Sequence, residues 1–84
     1  MTKYKNKPPV VEVMFLKNIE GIEEEINKFV EGKLSKHING DEIDLCVATY
    51  EGEMVLKEGS CIIKDNNKLY VKNIDYLNSN YELY

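Results

Sequence analysis

The steps Glu51-Gly52 and Glu58-Gly59 bracket short alternating apolar segments in the stretch T-Y-E-G-E-M-V-L-K-E-G-S-C-I-I-K, Thr49 to Lys64. Glycine takes up left-handed backbone without steric penalty, so each step marks a tight reversal. Reversals this close together predict neighbouring strands laid side by side as an antiparallel meander. The predicted strands are Ile43 to Tyr50, Glu53 to Leu56, Ser60 to Lys64 and Leu69 to Lys72, the last two joined through Asp65-Asn66-Asn67-Lys68. In the first of them Ile43, Leu45 and Val47 alternate with Asp44, Cys46 and Ala48, the pattern of a half-buried strand.

Ahead of the meander, Val10 to Leu16 reads as a further strand, with Val11, Val13 and Phe15 on one face and Val10, Glu12, Met14 and Leu16 on the other. Only Glu12 is polar, which predicts cover on both sides. The period then lengthens. Ile22, Ile26, Phe29 and Val30 fall at i, i+4, i+7 and i+8, the stripe of an amphipathic helix, placed at Gly21 to Glu31. Glu20, Glu23, Glu24 and Glu25 oppose the positive end of its dipole, Glu24 stands four residues before Lys28, and Gly32 is a natural C′ stop. Lys33 to Glu42, closing with Asn39-Gly40-Asp41, reads as a polar loop. Beyond Asn73, the spacing of Ile74, Leu77 and Tyr81 predicts a short C-terminal helix or turn.

These elements predict an α+β fold: one amphipathic helix packed on a curled, mainly antiparallel sheet of about five strands, with an open small barrel as the extreme form. With 84 residues and no linker, repeat or low-complexity tract, residues 1–84 are read as one domain, and 1–8, running into Pro8-Pro9, as a flexible or extended arm. A chain of this length buries only about 60 to 65% of its unfolded surface, so the core must be thin. The 43% apolar and 31% charged content lies in the folded range. Apolar runs such as Val13 to Leu16 fall far short of the roughly 20 residues that span a bilayer. With no apolar secretion segment at the N-terminus either, the expected setting is the cytoplasm. There Cys46 and Cys61, lacking C-x-x-C spacing, are expected to be buried and reduced, although a disulfide between two strands of one meander is conceivable.

The net charge of −4 is unevenly spread: residues 1–17 carry +3, residues 18–60 carry −7, and the rest balances. All eleven basic residues are lysines, so the planar fork with which arginine grips phosphate and guanine is missing. Affinity for a polyanion comes mainly from clustered positive charge, so direct nucleic-acid binding is disfavoured.

Both ends of the chain carry a family likeness. The opening K-Y-K-N-K-P-P-V-V-E-V, Lys3 to Val13, resembles the K-Y-x-K-K-P-V-V-I-E-A start of a widespread group of small phage and prophage proteins. The second half of that group reads T-x-E-G, a short strand with a central Val, G-D-Y-I-I, a turn, a strand Tyr and a terminal F-x-x-x-Y. Thr49, Glu51, Gly52, Val55, Gly59, Ile62, Ile63, Tyr70, Leu77 and Tyr81 stand at the matching positions. The chain departs from the pattern at Ser60-Cys61, where the group has Asp-Tyr, and at Asp65-Asn66-Asn67-Lys68, which replaces a glycine-containing turn. The resemblance implies a phage or prophage setting inside a host cell and a shared fold type, with no implied reaction.

No nucleophile, base and oxyanion set is legible, nor a glycine-rich phosphate loop, so a non-enzymatic protein is expected, with no catalytic residue and no cofactor. His37 is expected as an exposed loop histidine, because no Cys, Asp or Glu stands at zinc-ligand spacing from it. Asp41, Glu42 and Asp44 lack the fixed offsets of a calcium loop, so no metal site is expected. Lys3, Lys5 and Lys7 fit either a phosphate contact or a solubilising tail. Among the six tyrosines, Tyr76, Tyr81 and Tyr84 gather near the C-terminus, where they can anchor an interface or cap a thin core.

Two functional readings follow. In the first, an accessory protein presents Glu20, Glu23, Glu24, Glu31, Asp41, Glu42 and Asp44 as a spaced negative surface to a basic host protein, for instance to inhibit an antiviral defence enzyme. Its counterweight is that charge runs are usually solvated faces. In the second, an oligomer sequesters a small molecule such as a signalling nucleotide, with Tyr50, Lys57, Ser60 and Tyr70 lining a site beside the meander turns.

Overall fold

The computed structural model describes residues 11–81. The expected arm over residues 1–8, Pro8-Pro9, Lys3, Lys5, Lys7 and Tyr84, and most of the motif that opens the chain, lie outside the described residues.

Six strands and two helices follow in the order β1 (Glu12–Phe15), α1 (Glu23–Phe29), β2 (Leu34–Asn39), β3 (Glu42–Thr49), β4 (Gly52–Val55), β5 (Ser60–Asp65), β6 (Lys68–Asn73) and α2 (Ile74–Asn80). The strands form two three-stranded antiparallel sheets, β1-β5-β6 and β2-β3-β4, in place of the single five-stranded sheet that the sequence predicts. Among the described residues the two sheets do not close into a barrel. They meet where the Tyr50 N–H, just past β3, donates to the Leu69 carbonyl of β6 at 2.9 Å.

The meander breaks at the second Glu-Gly step. The first makes the β3–β4 hairpin, with Thr49 opposite Gly52. The second makes a turn in which the Ser60 N–H donates to the Lys57 carbonyl, with Gly59 at φ +86. That turn is tied to a different strand: the Gly59 N–H donates to the Leu16 carbonyl at 2.8 Å and the Leu16 N–H to the Ser60 carbonyl at 3.0 Å. Buried Leu56, just ahead of the turn, belongs to the main core. The chain therefore leaves one sheet for the other instead of folding back on β4. Local turn chemistry specified a reversal and could not specify its partner.

The segment read as a loop from Lys33 to Glu42 instead contains the edge strand β2, paired with β3 from Leu34 opposite Val47 to Asn39 opposite Glu42. Gly40-Asp41 forms its two-residue turn, and Gly40 at φ +64 supplies the left-handed first position that such a hairpin needs. At the other tight hairpin, β5–β6, Asn66 and Asn67 stand at φ +51 and +70, the paired left-handed conformation of a type I′ turn.

Helix α1 is shorter than predicted. Its last turn closes with the Gly32 N–H on the Asn27 carbonyl and the Glu31 N–H on the Lys28 carbonyl, the paired bonds of a Schellman stop. Glu31, at φ +55, holds the left-handed C′ position expected for Gly32.

The main core joins Leu16, Ile26, Val30, Leu45, Val47, Leu56, Ile62, Leu69 and Val71, with Met14, Ile22, Phe29 and Leu34 packed against it. A second cluster lies on the opposite face of β1-β5-β6, where Cys61, Ile63 and Leu77 are covered with Val11, Val13, Ile74, Tyr70 and Tyr81. Strand β1 thus touches a cluster on each side, through Met14 and Val13, but the cover is partial, since Phe15 stays 50% exposed. Helix α2 starts on Asn73, whose Oδ1 accepts from the Tyr76 N–H at 2.7 Å, and sets Leu77 and Ile74 over the second cluster. Among the described residues no helix is long and apolar enough to cross a membrane.

Candidate functional site, the β2–β3 hairpin

Directly opposed residues in an antiparallel pair share a face, so the register sorts the hairpin. One face carries Leu34, Lys36 and Ile38 opposite Val47, Leu45 and Ile43. Leu34, Leu45 and Val47 belong to the main core. Lys36 marks the edge of that cover: its Nζ lies 2.8 Å from the Glu23 carboxylate, tying α1 to β2. Two register steps further out, Ile38 is 84% exposed and Ile43 64% exposed. The inward face of the hairpin therefore runs on past the core and ends in bare apolar side chains.

Around that pair the predicted acids are divided. Glu23 and Glu24 stand at the start of α1 and line a shallow groove with Asn27, Leu34, Ser35 and Lys36. Glu20 precedes the helix, its N–H on the Asn18 side chain. Asp41 and Glu42 lie exposed at the hairpin tip. Asp44 is half-buried on the other face of the sheet, opposite His37, and accepts from Asn39 Nδ2 at 3.5 Å. Glu31 sits beyond the far end of α1. The acids of the expected spaced negative surface are therefore distributed over several places in the fold. Glu23 and Glu24 stand along the groove beside Lys36, the neighbour of Ile38 on the same face, and Asp41 stands at the tip, while Glu42, opposite Asn39, shares the other face with Asp44, and Glu31 is set apart.

The expected small-molecule site divides as well. Tyr50 and Tyr70 come together with ring centroids 5.9 Å apart, and the Lys68 ammonium lies 4.7 Å from the Tyr50 ring centre. Lys57 and Ser60 share a turn at the other end of β5, where Ser60 pairs with Asn73 while Tyr70 pairs with Ile63. Three register steps separate the two pairs, roughly 10 Å along a strand. The tyrosine pair joins a mixed surface in which Lys72 contacts the Glu51 carboxylate at 2.7 Å and lies 4.9 Å from the Tyr76 ring centre. The Glu51 hydrogen bond holds the Lys72 ammonium above its ordinary pKa. Tyr81 packs into the second cluster, where burial pushes its phenol up.

The remaining face of β2-β3-β4 corrects the reading of His37. This histidine lies in strand β2, not in a loop, and it has the neighbours the sequence failed to show: His37 Nε2 is 2.9 Å from Glu53 Oε1 and 3.3 Å from Ser35 Oγ, and Cys46 lies in the same group. The missing information was register. His37 and Glu53 are sixteen positions apart in the chain, and only the pairings Ser35 with Cys46 and Ala48 with Glu53 bring them across β3. The Gly40-Asp41 turn was the one local clue. Burial, then the negative carboxylates of Glu53 and Asp44, push the Cys46 thiol up from its ordinary value. Cys46 and Cys61 are both free and buried, in different sheets.

No protein-family model matches the chain, and neither a curated protein nor a solved structure shows significant similarity to it.

Proposed function

We propose that this chain is a non-enzymatic accessory protein of phage or prophage origin that binds a host protein through the outer half of the β2–β3 hairpin, and so blocks an antiviral activity. The observation that carries the reading is the opposed Ile38–Ile43 pair, bare on an otherwise core-facing surface, with Asp41 at the hairpin tip beyond it and Glu23 and Glu24 along the groove beside Lys36. Protein interfaces are commonly built this way, with an apolar centre inside a polar rim, and the sign of the rim selects the partner. The partner would present apolar side chains bordered by lysine or arginine. As an edge strand, β2 also offers main-chain groups for pairing with an extended segment of that partner. The phage or prophage setting rests on the motif resemblance alone.

Capture from host lysate at low and moderate salt tests the reading, comparing the native chain with an Ile38→Ser, Ile43→Ser double variant. A specific host protein retained by the native chain, released as salt rises and lost with the double variant supports it. Equal retention by both, or recovery of the chain alone at both salt levels, overturns it.

A further inference from the structure

A set of metal donors lies outside the proposed binding surface. His37 on β2, Cys46 on β3 and Glu53 on β4 each contribute one ligand atom from neighbouring strands of one sheet, and those atoms all lie within 4.8 Å of one another. The sulfur is fixed: Cys46 is only 3% exposed and sits mid-strand between two paired neighbours. The other two donors can move, because the His37 and Glu53 side chains are about half exposed and reach the thiol from opposite sides of β3.

We propose that His37, Cys46 and Glu53 form a binding site for a borderline-soft divalent transition ion of the Zn²⁺ class. Thiolate, imidazole and carboxylate are the three donor types such ions accept, and together they favour this class over Mg²⁺ or Ca²⁺, which take oxygen ligands. Metal-to-ligand bonds of about 2.0 to 2.3 Å in a tetrahedron place ligand atoms roughly 3.3 to 3.8 Å apart. The widest separation, at most 4.8 Å, therefore has to close by up to roughly 1 Å, while the 2.9 Å His37–Glu53 contact opens by a few tenths of an ångström. Side-chain rotation of His37 and Glu53 supplies that movement while the ladder stays in register. Asp44, opposite His37, adds negative potential beside the site. Three protein ligands leave one coordination position for water. A His37–Glu53 ion pair alone would need no sulfur beneath it, and the buried thiol is the feature that such a pair leaves unexplained. Binding displaces the thiol proton to solvent as the sulfur–metal bond forms.

Titration of the full chain with Co²⁺, followed by displacement with Zn²⁺, tests the site. The expected result is one ion per chain with a near-ultraviolet thiolate-to-cobalt charge-transfer band. Cys46→Ala should abolish the band and Cys61→Ala should leave it intact. Glu53→Gln and His37→Gln, both at exposed positions that tolerate replacement, should weaken binding by more than about tenfold, since loss of a mere outer-shell partner already costs about 10- to 100-fold. No band with the native chain, a band that survives Cys46→Ala, or unchanged affinity in the Glu53 and His37 variants overturns the assignment.

Discussion

Ile38 and Ile43 stand directly opposite each other across β2 and β3, two register steps beyond the Lys36–Leu45 pair at which core cover ends. Both are largely solvent-exposed, so their burial contributes little to stability. Ile38→Thr or Ile43→Thr should shift the unfolding free energy by no more than about 0.5 kcal/mol. Ile26→Ala, in the fully buried centre of the main core, should cost about 2 to 5 kcal/mol. Urea unfolding followed by circular dichroism measures both, and a large loss at Ile38 would mean that this side chain is covered.

Glu31 holds a left-handed conformation that costs a residue with a side chain about 1 to 2 kcal/mol. Glu31→Gly should therefore stabilise the chain by about 1 kcal/mol or slightly less, because glycine also enlarges the unfolded ensemble. The substitution further removes a negative charge from the negative end of the α1 dipole. A raised urea midpoint is the expected readout, and a lowered one would show that Glu31 makes a contact that glycine forfeits.

Asn73 accepts the Tyr76 N–H and so satisfies one of the first amides of α2. Asn73→Ala should cost about 1 kcal/mol. Because α2 carries Leu77 over Cys61, the same variant should speed the reaction of Cys61 with a thiol reagent, measured in a Cys46→Ala background. Unchanged labelling would mean that α2 does not shield Cys61.

Both thiols are held above the ordinary value of 9.0, Cys61 by burial and Cys46 by burial with Glu53 and Asp44 beside it. A thiol raised in the folded state keeps its proton longer than it does in the unfolded chain. Its contribution is complete below the unfolded value and is lost as pH climbs through the folded one. Stability should therefore fall above pH 9. Cys61→Ala should flatten that fall, as read by urea midpoints from neutral to strongly alkaline pH. An equal slope in the variant would assign the loss to other groups, such as Tyr81, which is raised in the same sense.

Much of the local structure was legible. Asp65-Asn66-Asn67-Lys68 was legible as the join between two strands, and Asn66 and Asn67 make its turn in left-handed backbone. The spacing of Ile74, Leu77 and Tyr81 placed α2, and the two apolar faces of the first strand anticipated contacts on both sides of β1, although Phe15 stays half exposed. Strand β2 was missed because polar Lys36, His37 and Asn39 lie exposed and Ser35 is only half-buried at a sheet edge, where little burial imposes an apolar alternation.

By itself the sequence determined most of the segments that extend or coil, β2 excepted, and where the chain reverses, since these depend on the backbone preferences of a few neighbouring residues. The tertiary structure alone decided that β5 leaves β4 for β1, that Ile38 and Ile43 stay bare, and that His37, Cys46 and Glu53 converge. Each of those outcomes depends on strand register and on which buried surface a turn docks against, and residues distant in the chain specify them only once the core has closed.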